Sequence, residues 1–129
     1  MYINYVMAVK VLIADDDMDG QQLLCDVLEI NFRDVRIERA LCARSFYEKA
    51  AAAAAGDPWS LIFVAVGFII EDQAAFAGLN KSAASQAIGK LVVTGGRGLF
   101  DQLPEYAKRF PYLAKPFSLD EFEEVVKDV

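Results

Sequence analysis

Short apolar runs alternate with segments of helical periodicity along this chain. In the helical segments apolar residues recur at intervals of three and four, as on one face of a helix, whereas the short runs are continuous or alternate with polar residues. The runs predicted as strands are 10–14, 35–38, 61–66, 91–93 and 112–114. The segments predicted as helices lie around 23–28, 43–55, 76–87 and from 118 onward, with a further short helix near 104.

The order of these elements predicts the fold class. Most of the runs are apolar throughout, which is typical of a parallel sheet, because helices cover both faces of such a sheet. Only 35–38 alternates apolar and charged residues, as expected of a strand near the sheet edge. Right-handed crossovers then lead to an open, doubly wound α/β sandwich of three layers. With 129 residues and no repeat or linker, the chain is expected to form a single domain, 1–129.

Helix boundaries are marked by residues with special backbone preferences. The Gly-Asp-Pro segment 56–58 is expected to end the second helix. Pro104 disfavours a helical conformation at Leu103, so the short fourth helix is expected to begin near Pro104. Ser118 and Glu121 have the spacing of a capping box, in which each side chain accepts a hydrogen bond from the other's backbone N–H.

Composition and charge exclude several functions. The net charge of −6 and the scattered Lys and Arg residues predict no binding to nucleic acid, whose phosphates require clustered cations. No apolar run approaches the roughly 20 residues of a membrane span. The sequence contains no histidine, which removes imidazole catalysis and typical zinc sites. Cys25 and Cys42 are expected to be reduced core residues, which fits a cytoplasmic protein.

Acidic residues, glycines and a lysine gather where the predicted strands end. Ligands of doubly wound sheets bind at the carboxyl ends of the strands, where the strand order reverses. The residues at these ends are Asp15, Asp16 and Asp17 after the first strand, Ala65 and Gly67 after the third, Thr94, Gly95 and Gly96 after the fourth, and Lys115 and Pro116 after the fifth. Any site is therefore expected among them.

This arrangement resembles the receiver domain of bacterial two-component response regulators, which has a flavodoxin-like fold. The resemblance covers about 10–129 and rests on three segments, 11–17, 92–95 and 112–118, which carry the acidic residues, the threonine and a Lys-Pro-Phe sequence. It implies roles for six residues. Asp15, Asp16 and the Gly67 carbonyl would hold Mg²⁺. Thr94 and Lys115 would bind a phosphoryl group, and Tyr112 would be the aromatic residue that turns inward on activation.

Ala65 stands where the resemblance places the aspartate that is phosphorylated. A methyl group cannot accept a phosphoryl group, since an acyl phosphate requires a carboxylate. We therefore expect no phosphorylation at this position. Mg²⁺ is expected to bind feebly, if at all, because a third anionic ligand is missing, and no other cofactor is expected. Asp15 and Asp16 would then keep Lys115 as their counter-charge, in an ion pair that is a remnant of the site.

The neighbourhood of Ala65 carries further expectations. The apolar segment 68–70 replaces a Met-Pro sequence common in the family, and we expect it to form a loop packed over the site rather than an exposed patch. Glu71 and Asp72 stay open as substitute phosphoryl acceptors. The Lys115–Pro116 bond is expected to be cis, in a tight turn that aims Lys115 at the acidic residues.

The expected function is that of a receiver-like domain in two-component phosphorelay signalling that is not phosphorylated and is not an enzyme. It would act through contacts with signalling proteins, such as a histidine kinase or an output domain, and both a homodimer and a following segment of chain stay open. One alternative is an ordinary receiver with an engineered Asp-to-Ala change at Ala65. Another is a small-ligand or nucleotide site in the glycine-rich segment 95–98. The acidic residues of 15–26 also have part of the spacing of a calcium-binding loop. A strand rather than a helix precedes them, so we favour a role for Asp17 or Asp19 as the cap of the first helix.

Overall fold

Five parallel strands form one sheet in the computed structural model, which describes residues 8–53, 57–81 and 87–129. In chain order the strands are β1 (Val9–Ala14), β2 (Val35–Ala40), β3 (Trp59–Ala65), β4 (Ile88–Gly96) and β5 (Tyr112–Lys115). Across the sheet their order is β2-β1-β3-β4-β5, and all four neighbouring pairs are parallel. The predicted α/β fold is confirmed, with β2 at a sheet edge as its alternating sequence indicated.

Helices connect the strands. The α-helices of the described ranges are α1 (Met18–Asn31), α2 (Ala43–Ala51), α3 (Val66–Glu71), α4 (Gln73–Lys81) and α5 (Leu119–Val126). Two 3₁₀ helices, Arg97–Gln102 and Glu105–Ala107, lie between β4 and β5. Parts of two predicted helices, 54–55 and 82–86, fall outside the described residues. Within those described, no helix has both the length and the apolar character needed to cross a membrane.

Two apolar layers cover the two faces of the sheet, because successive side chains of a strand point to opposite faces. On one face, strand residues pack against α2, α3 and α4; the core there includes Leu12, Ile62, Val64, Val93, Phe46, Ile69 and Phe76. On the other face, strand residues pack against α1 and α5; the core there includes Ile13, Phe63, Val92, Leu113, Leu24 and Phe122. The predicted three-layer, doubly wound arrangement is thereby confirmed.

The segment after β3 is a helix, so the prediction of a loop at 68–70 was wrong. α3 begins immediately after Ala65, and no proline in this segment prevents the helical conformation. Phe68 and Ile69 are buried as expected, whereas Ile70 is exposed. The Tyr47 hydroxyl on α2 donates hydrogen bonds to the Phe68 carbonyl at 2.9 Å and the Asp72 carbonyl at 3.3 Å, which ties α3 to α2.

The connection from β4 to β5 contains only 3₁₀ turns, although an α-helix was predicted there. Pro104 has an extended backbone and caps the turn that begins at Glu105, so the position of the predicted start is right and the helix type is wrong. Leu103, which precedes the proline, is extended as well, as expected of a residue before proline. The turn is anchored by Leu103 and Ala107, which are both buried in the core.

Three expectations about single residues have mixed outcomes. Cys25 is buried, but Cys42 is exposed at the start of α2, so its assignment to the core was wrong; both thiols are free. Asp17 is the N-cap residue of α1, yet its side chain accepts no capping hydrogen bond. The capping box is confirmed: the Ser118 hydroxyl accepts from the Glu121 N–H, and the Glu121 carboxylate accepts from the Ser118 N–H.

Candidate functional site

Four side chains predicted for the site lie in one row at the carboxyl ends of four strands. Each of these site residues comes two positions after a strand residue that is buried in the core beneath α1 and α5. Side chains two positions apart in a strand point to the same face of the sheet. The pairs of core and site residue are Ile13 with Asp15, Phe63 with Ala65, Val92 with Thr94 and Leu113 with Lys115. The strand order therefore brings the predicted residues together above one face of the sheet.

An ion pair joins the two ends of this row. The Lys115 ammonium contacts the Asp15 carboxylate, which is only 3% exposed and also accepts a hydrogen bond from the Asp17 N–H at 3.0 Å. The predicted pair between lysine and aspartate is present, but it involves Asp15 alone, and Asp16 is exposed. The Lys115–Pro116 bond is cis, as predicted. The buried Asp15 charge is thus both paired and hydrogen-bonded, as burial of a carboxylate demands.

Gly20 on α1 leaves room for this lysine. A Cβ atom at position 20 would lie 3.1 Å from the Lys115 Nζ atom and 2.7 Å from an Asp17 carboxylate oxygen. The first distance is tighter than ordinary van der Waals contact, so the absence of a side chain at Gly20 allows the ammonium to approach the start of α1.

Gln21 holds the acidic end of the site and was not predicted. Its side chain is fully buried, and its amide nitrogen donates to the Asp15 carbonyl at 2.5 Å and to the Ala40 carbonyl at 3.1 Å. These bonds link the ends of β1 and β2. The sequence contained a signal for it, because Gln21 precedes Leu24 and Leu28 by three and seven positions and so falls on the buried face of α1.

A cavity of about 330 Å³ opens beside Ala65. The residues that line it include all the predicted phosphate and metal residues, together with apolar side chains and one acid that the resemblance did not assign; they are Asp15, Asp16, Ala65, Val66, Gly67, Phe68, Glu71, Thr94, Gly95, Gly96, Leu99 and Lys115. Thr94 is 1% exposed, and its hydroxyl has no hydrogen-bond partner among the described residues. The site thus retains its polar residues around a methyl group.

The donor set does not fit the Mg²⁺ ion that the resemblance implies. Mg²⁺ requires oxygen ligands in near-octahedral geometry, usually carboxylates together with retained water molecules. Asp15 is committed to Lys115, which leaves Asp16 as the available carboxylate of the predicted pair. In the described ranges no group of three or more His, Cys, Asp or Glu side chains is arranged to hold a metal. Feeble Mg²⁺ binding remains a prediction.

Tyr112, the predicted switch aromatic, lies against the end of β4. Its hydroxyl donates to the Gly96 carbonyl at 2.6 Å, and its ring meets the Phe100 ring edge-on with centroids 5.2 Å apart. Burial raises the pKa of the Tyr112 hydroxyl above its ordinary value. A Cβ atom at Gly95 would lie 2.7 Å from that hydroxyl oxygen, so this glycine permits the observed position of the tyrosine.

The two competing motifs do not form separate sites. The segment 15–26 runs from the end of β1 into α1, so its acids cannot encircle a calcium ion as a loop does; Asp26, for example, accepts a hydrogen bond from Gln22 on the same helix. In the glycine-rich segment, Gly95 and Gly96 are the last residues of β4 and line the cavity beside Ala65. They therefore belong to the site already described.

Comparisons with known proteins give a consistent fold. No model of a protein family matches the chain, and no curated protein is significantly similar to it. Among solved structures, the chemotaxis protein CheY4 of Vibrio cholerae matches with a TM-score of 0.67 and 16% identity, over 95% of this chain and 99% of that one. NtrX from Brucella abortus, solved in complex with ATP, matches with a TM-score of 0.68 and 20% identity.

The match to NtrX covers 95% of this chain and 27% of NtrX, so this chain spans about a quarter of that protein. A receiver-modulated diguanylate cyclase from Pelobacter carbinolicus matches with a TM-score of 0.65 and 14% identity, over 92% of this chain and 89% of that one. The chain has the fold of response regulator receiver domains. At these identities the similarity establishes the fold alone.

Proposed function

We propose that the chain is a receiver-like domain of two-component signalling that is not phosphorylated at the end of β3 and acts through protein–protein contacts. The observation that carries this proposal is the composition of the row of site residues. Thr94 and Lys115 stand where a phosphoryl group would be bound, but Ala65 offers no carboxylate between them and the Lys115 charge is already neutralised by Asp15.

Neither neighbouring acid is well suited to replace the missing aspartate. Asp72 is exposed and one of its oxygens accepts a hydrogen bond from the Ala75 N–H at 3.0 Å, at the start of α4. Glu71 lines the cavity, but it is the last residue of α3 and is exposed to solvent. An acyl phosphate there would lack the closed, dry surroundings in which fixed charges act most strongly.

The proposed partners are signalling proteins, either a histidine kinase or an output domain. This proposal is supported by two neighbours of the same fold that are larger or carry a second activity by name: NtrX, and the receiver-modulated diguanylate cyclase. We propose no enzymatic activity for this chain, no cofactor and a cytoplasmic location. We propose a homodimer as a second assembly, in which the partner is another copy of this chain.

Phosphoryl transfer from a small donor tests the proposal. The native chain and the Ala65→Asp variant are incubated with acetyl phosphate or phosphoramidate and Mg²⁺, and their intact masses are measured before and after hydroxylamine treatment. We expect no hydroxylamine-labile adduct on the native chain. A labile adduct there would overturn the proposal, and its loss in Glu71→Gln or in Asp72→Asn would identify the substitute acceptor.

The Ala65→Asp variant also addresses the alternative of an engineered change. If an ordinary receiver had lost only its aspartate, the variant should be labelled readily by the same donors. We expect it to be labelled poorly, because α3 begins directly after position 65 and packs Phe68 and Ile69 into the core beside the site. Rapid and complete labelling of the variant would favour the engineered alternative.

A further inference from the structure

The cavity beside Ala65 has one apolar wall. Ala65, Val66, Phe68 and Leu99 line it, and its volume of about 330 Å³ lies in the range of small-molecule sites. Phe68 is held in place by burial, while Leu99 is exposed at the rim. Such a wall favours a ligand with a hydrocarbon part, since transfer of apolar surface out of water is favourable.

The charged groups of the cavity are predominantly negative. Asp15, Asp16 and Glu71 face a single cation, Lys115, so the lining carries two uncompensated negative charges. Asp15 and Lys115 neutralise each other. Within the described part of the chain, neither Asp16 nor Glu71 takes part in a salt bridge. The field in the cavity therefore opposes phosphates and carboxylates and attracts cations.

Thr94 adds a directional acceptor at the floor of the cavity. It is 99% buried, and nothing in the described residues forms a hydrogen bond with its hydroxyl. The hydroxyl oxygen of a residue that lines a cavity can accept a hydrogen bond, so it suits an N–H group of a ligand at this position. The dispersed carboxylates suit an organic cation better than a metal ion, because no three of the described acids converge on one point.

We propose that this cavity binds a small organic cation of the primary alkylammonium class. The ammonium group lies within reach of the Thr94 hydroxyl and the carboxylates of Asp16 and Glu71, and the hydrocarbon chain packs on Val66, Phe68 and Leu99. The inference rests on the proposed function, because the cavity can bind an amine only if it does not hold a phosphoryl group and Mg²⁺.

Titration with matched ligands tests the inference. Two-dimensional ¹H–¹⁵N spectra of the native chain are recorded with n-pentylammonium, with pentanoate and with Mg²⁺, each at constant ionic strength. We expect saturable shifts with pentylammonium alone, in the low millimolar range or below, concentrated at 65–71 and 94–96. Equal binding of pentanoate, or no saturable shifts with pentylammonium, would overturn the inference; saturable submillimolar Mg²⁺ binding would identify the cavity as a metal site instead.

A pair of charge-matched double variants separates the site from the net charge. The variant Asp16→Asn/Glu71→Gln removes two carboxylates from the cavity, and Glu29→Gln/Glu123→Gln removes two exposed carboxylates elsewhere. The first is expected to weaken pentylammonium binding about tenfold or more, as loss of charge-assisted hydrogen bonds does, and the second to leave it unchanged. Equal weakening in both would show that the amine is attracted only by overall charge.

The outcome is separable from that of the proposed function. A hydroxylamine-labile adduct on the native chain would overturn the proposed function whatever the amine does. Absence of both the adduct and the amine shifts would leave the proposed function standing and remove this inference alone. The spectra of all variants without ligand report whether each is folded, so a loss of binding in a folded variant is attributable to the site.

Discussion

The Lys115 ammonium contacts the Asp15 carboxylate across the ends of two intervening strands. Asp15 follows β1 and Lys115 ends β5, 100 residues later, and β3 and β4 lie between them in the sheet. The contact therefore passes above the strands that end in Ala65 and Gly96, beside the cavity at Ala65. A lysine engaged in this way neutralises a buried carboxylate and is no longer a free cation.

Removal of that lysine should destabilise the fold. In Lys115→Met the buried Asp15 carboxylate loses its counter-charge. We expect the free energy of unfolding to fall by about 2–3 kcal/mol, somewhat less than for a fully buried pair, because the Lys115 side chain is one-quarter exposed. Urea unfolding measures the change. Adding Asp15→Asn should recover part of the loss, since the two residues are coupled.

An exposed ion pair provides the control for this measurement. Lys127 contacts Glu124 one turn earlier on the protein surface, where both side chains are more than half exposed. Lys127→Met removes the same charge and is expected to change the free energy of unfolding by less than about 1 kcal/mol. Similar losses in the two lysine variants, or no recovery with Asp15→Asn, would contradict a structural role for the Asp15–Lys115 pair.

Mg²⁺ binding should depend on the side chain at position 65. The native chain offers Asp16 and a carboxylate already paired with lysine, so calorimetry is expected to show no submillimolar binding. Ala65→Asp supplies a third carboxylate and should strengthen binding measurably, whereas Ala65→Asn, similar in shape but uncharged, should not. Submillimolar Mg²⁺ binding by the native chain would show that two carboxylates suffice.

Much of the fold and the site could be predicted because both follow from short periodicities. The row formed by Asp15, Ala65, Thr94 and Lys115 continues the alternation of the buried strands, so finding the strands in the sequence was enough to locate it. The pairing of Lys115 with Asp15 followed from the opposite charges at two strand ends and the absence of a carboxylate at Ala65.

Other features depended on tertiary contacts that no local pattern reveals. The apolar segment after β3 was predicted as a loop, but the Tyr47 hydroxyl and the core contacts of Phe68 and Ile69 stabilise a helix there. The spacing of Gln21 from Leu24 and Leu28 indicates that it is buried, but its hydrogen bonds to the Asp15 and Ala40 carbonyls, 6 and 19 residues away, are set by the fold. Cys42 is apolar in character, yet its place at a helix start leaves it exposed.

The position of Tyr112 should depend on the glycine beside it. A methyl group at Gly95 would lie 2.7 Å from the Tyr112 hydroxyl and 2.9 Å from a methyl group of Val66, so Gly95→Ala should cost about 1–3 kcal/mol through overpacking. In the Tyr112→Phe background the added cost should be smaller, because the hydroxyl is gone. Denaturant unfolding of the four proteins in this cycle measures the coupling.

Gly98→Ala is the matched control for that cycle. Gly98 is exposed and a Cβ atom there would meet nothing within 4 Å, so the substitution should change stability by less than about 0.5 kcal/mol. A cost at Gly95 no larger than at Gly98, or one unaffected by Tyr112→Phe, would show that the tyrosine is not held where the structure places it.

The capping box of α5 should make part of the stability depend on pH. The pKa of the Glu121 carboxyl lies below its ordinary value of 4.5, because its carboxylate accepts a hydrogen bond from the Ser118 backbone and is linked to the Ser118 side chain. A carboxyl whose pKa is lowered by folding stabilises the native state above its ordinary pKa, and this contribution is lost as pH falls through the lowered value.

Glu121→Gln keeps an acceptor for the Ser118 N–H but cannot titrate. The native chain is therefore expected to be more stable than this variant by a constant amount above about pH 6, and the difference should shrink as pH falls below the ordinary carboxyl pKa. Urea unfolding between pH 3.5 and 7, a range of about one unit below to well above that pKa, follows the change. Glu123→Gln removes a carboxylate from the same helix outside the capping box and serves as the charge control. The same pH dependence in both variants would contradict the capping explanation, because the Glu121 carboxylate accepts the Ser118 N–H and Glu123 is not part of the capping box.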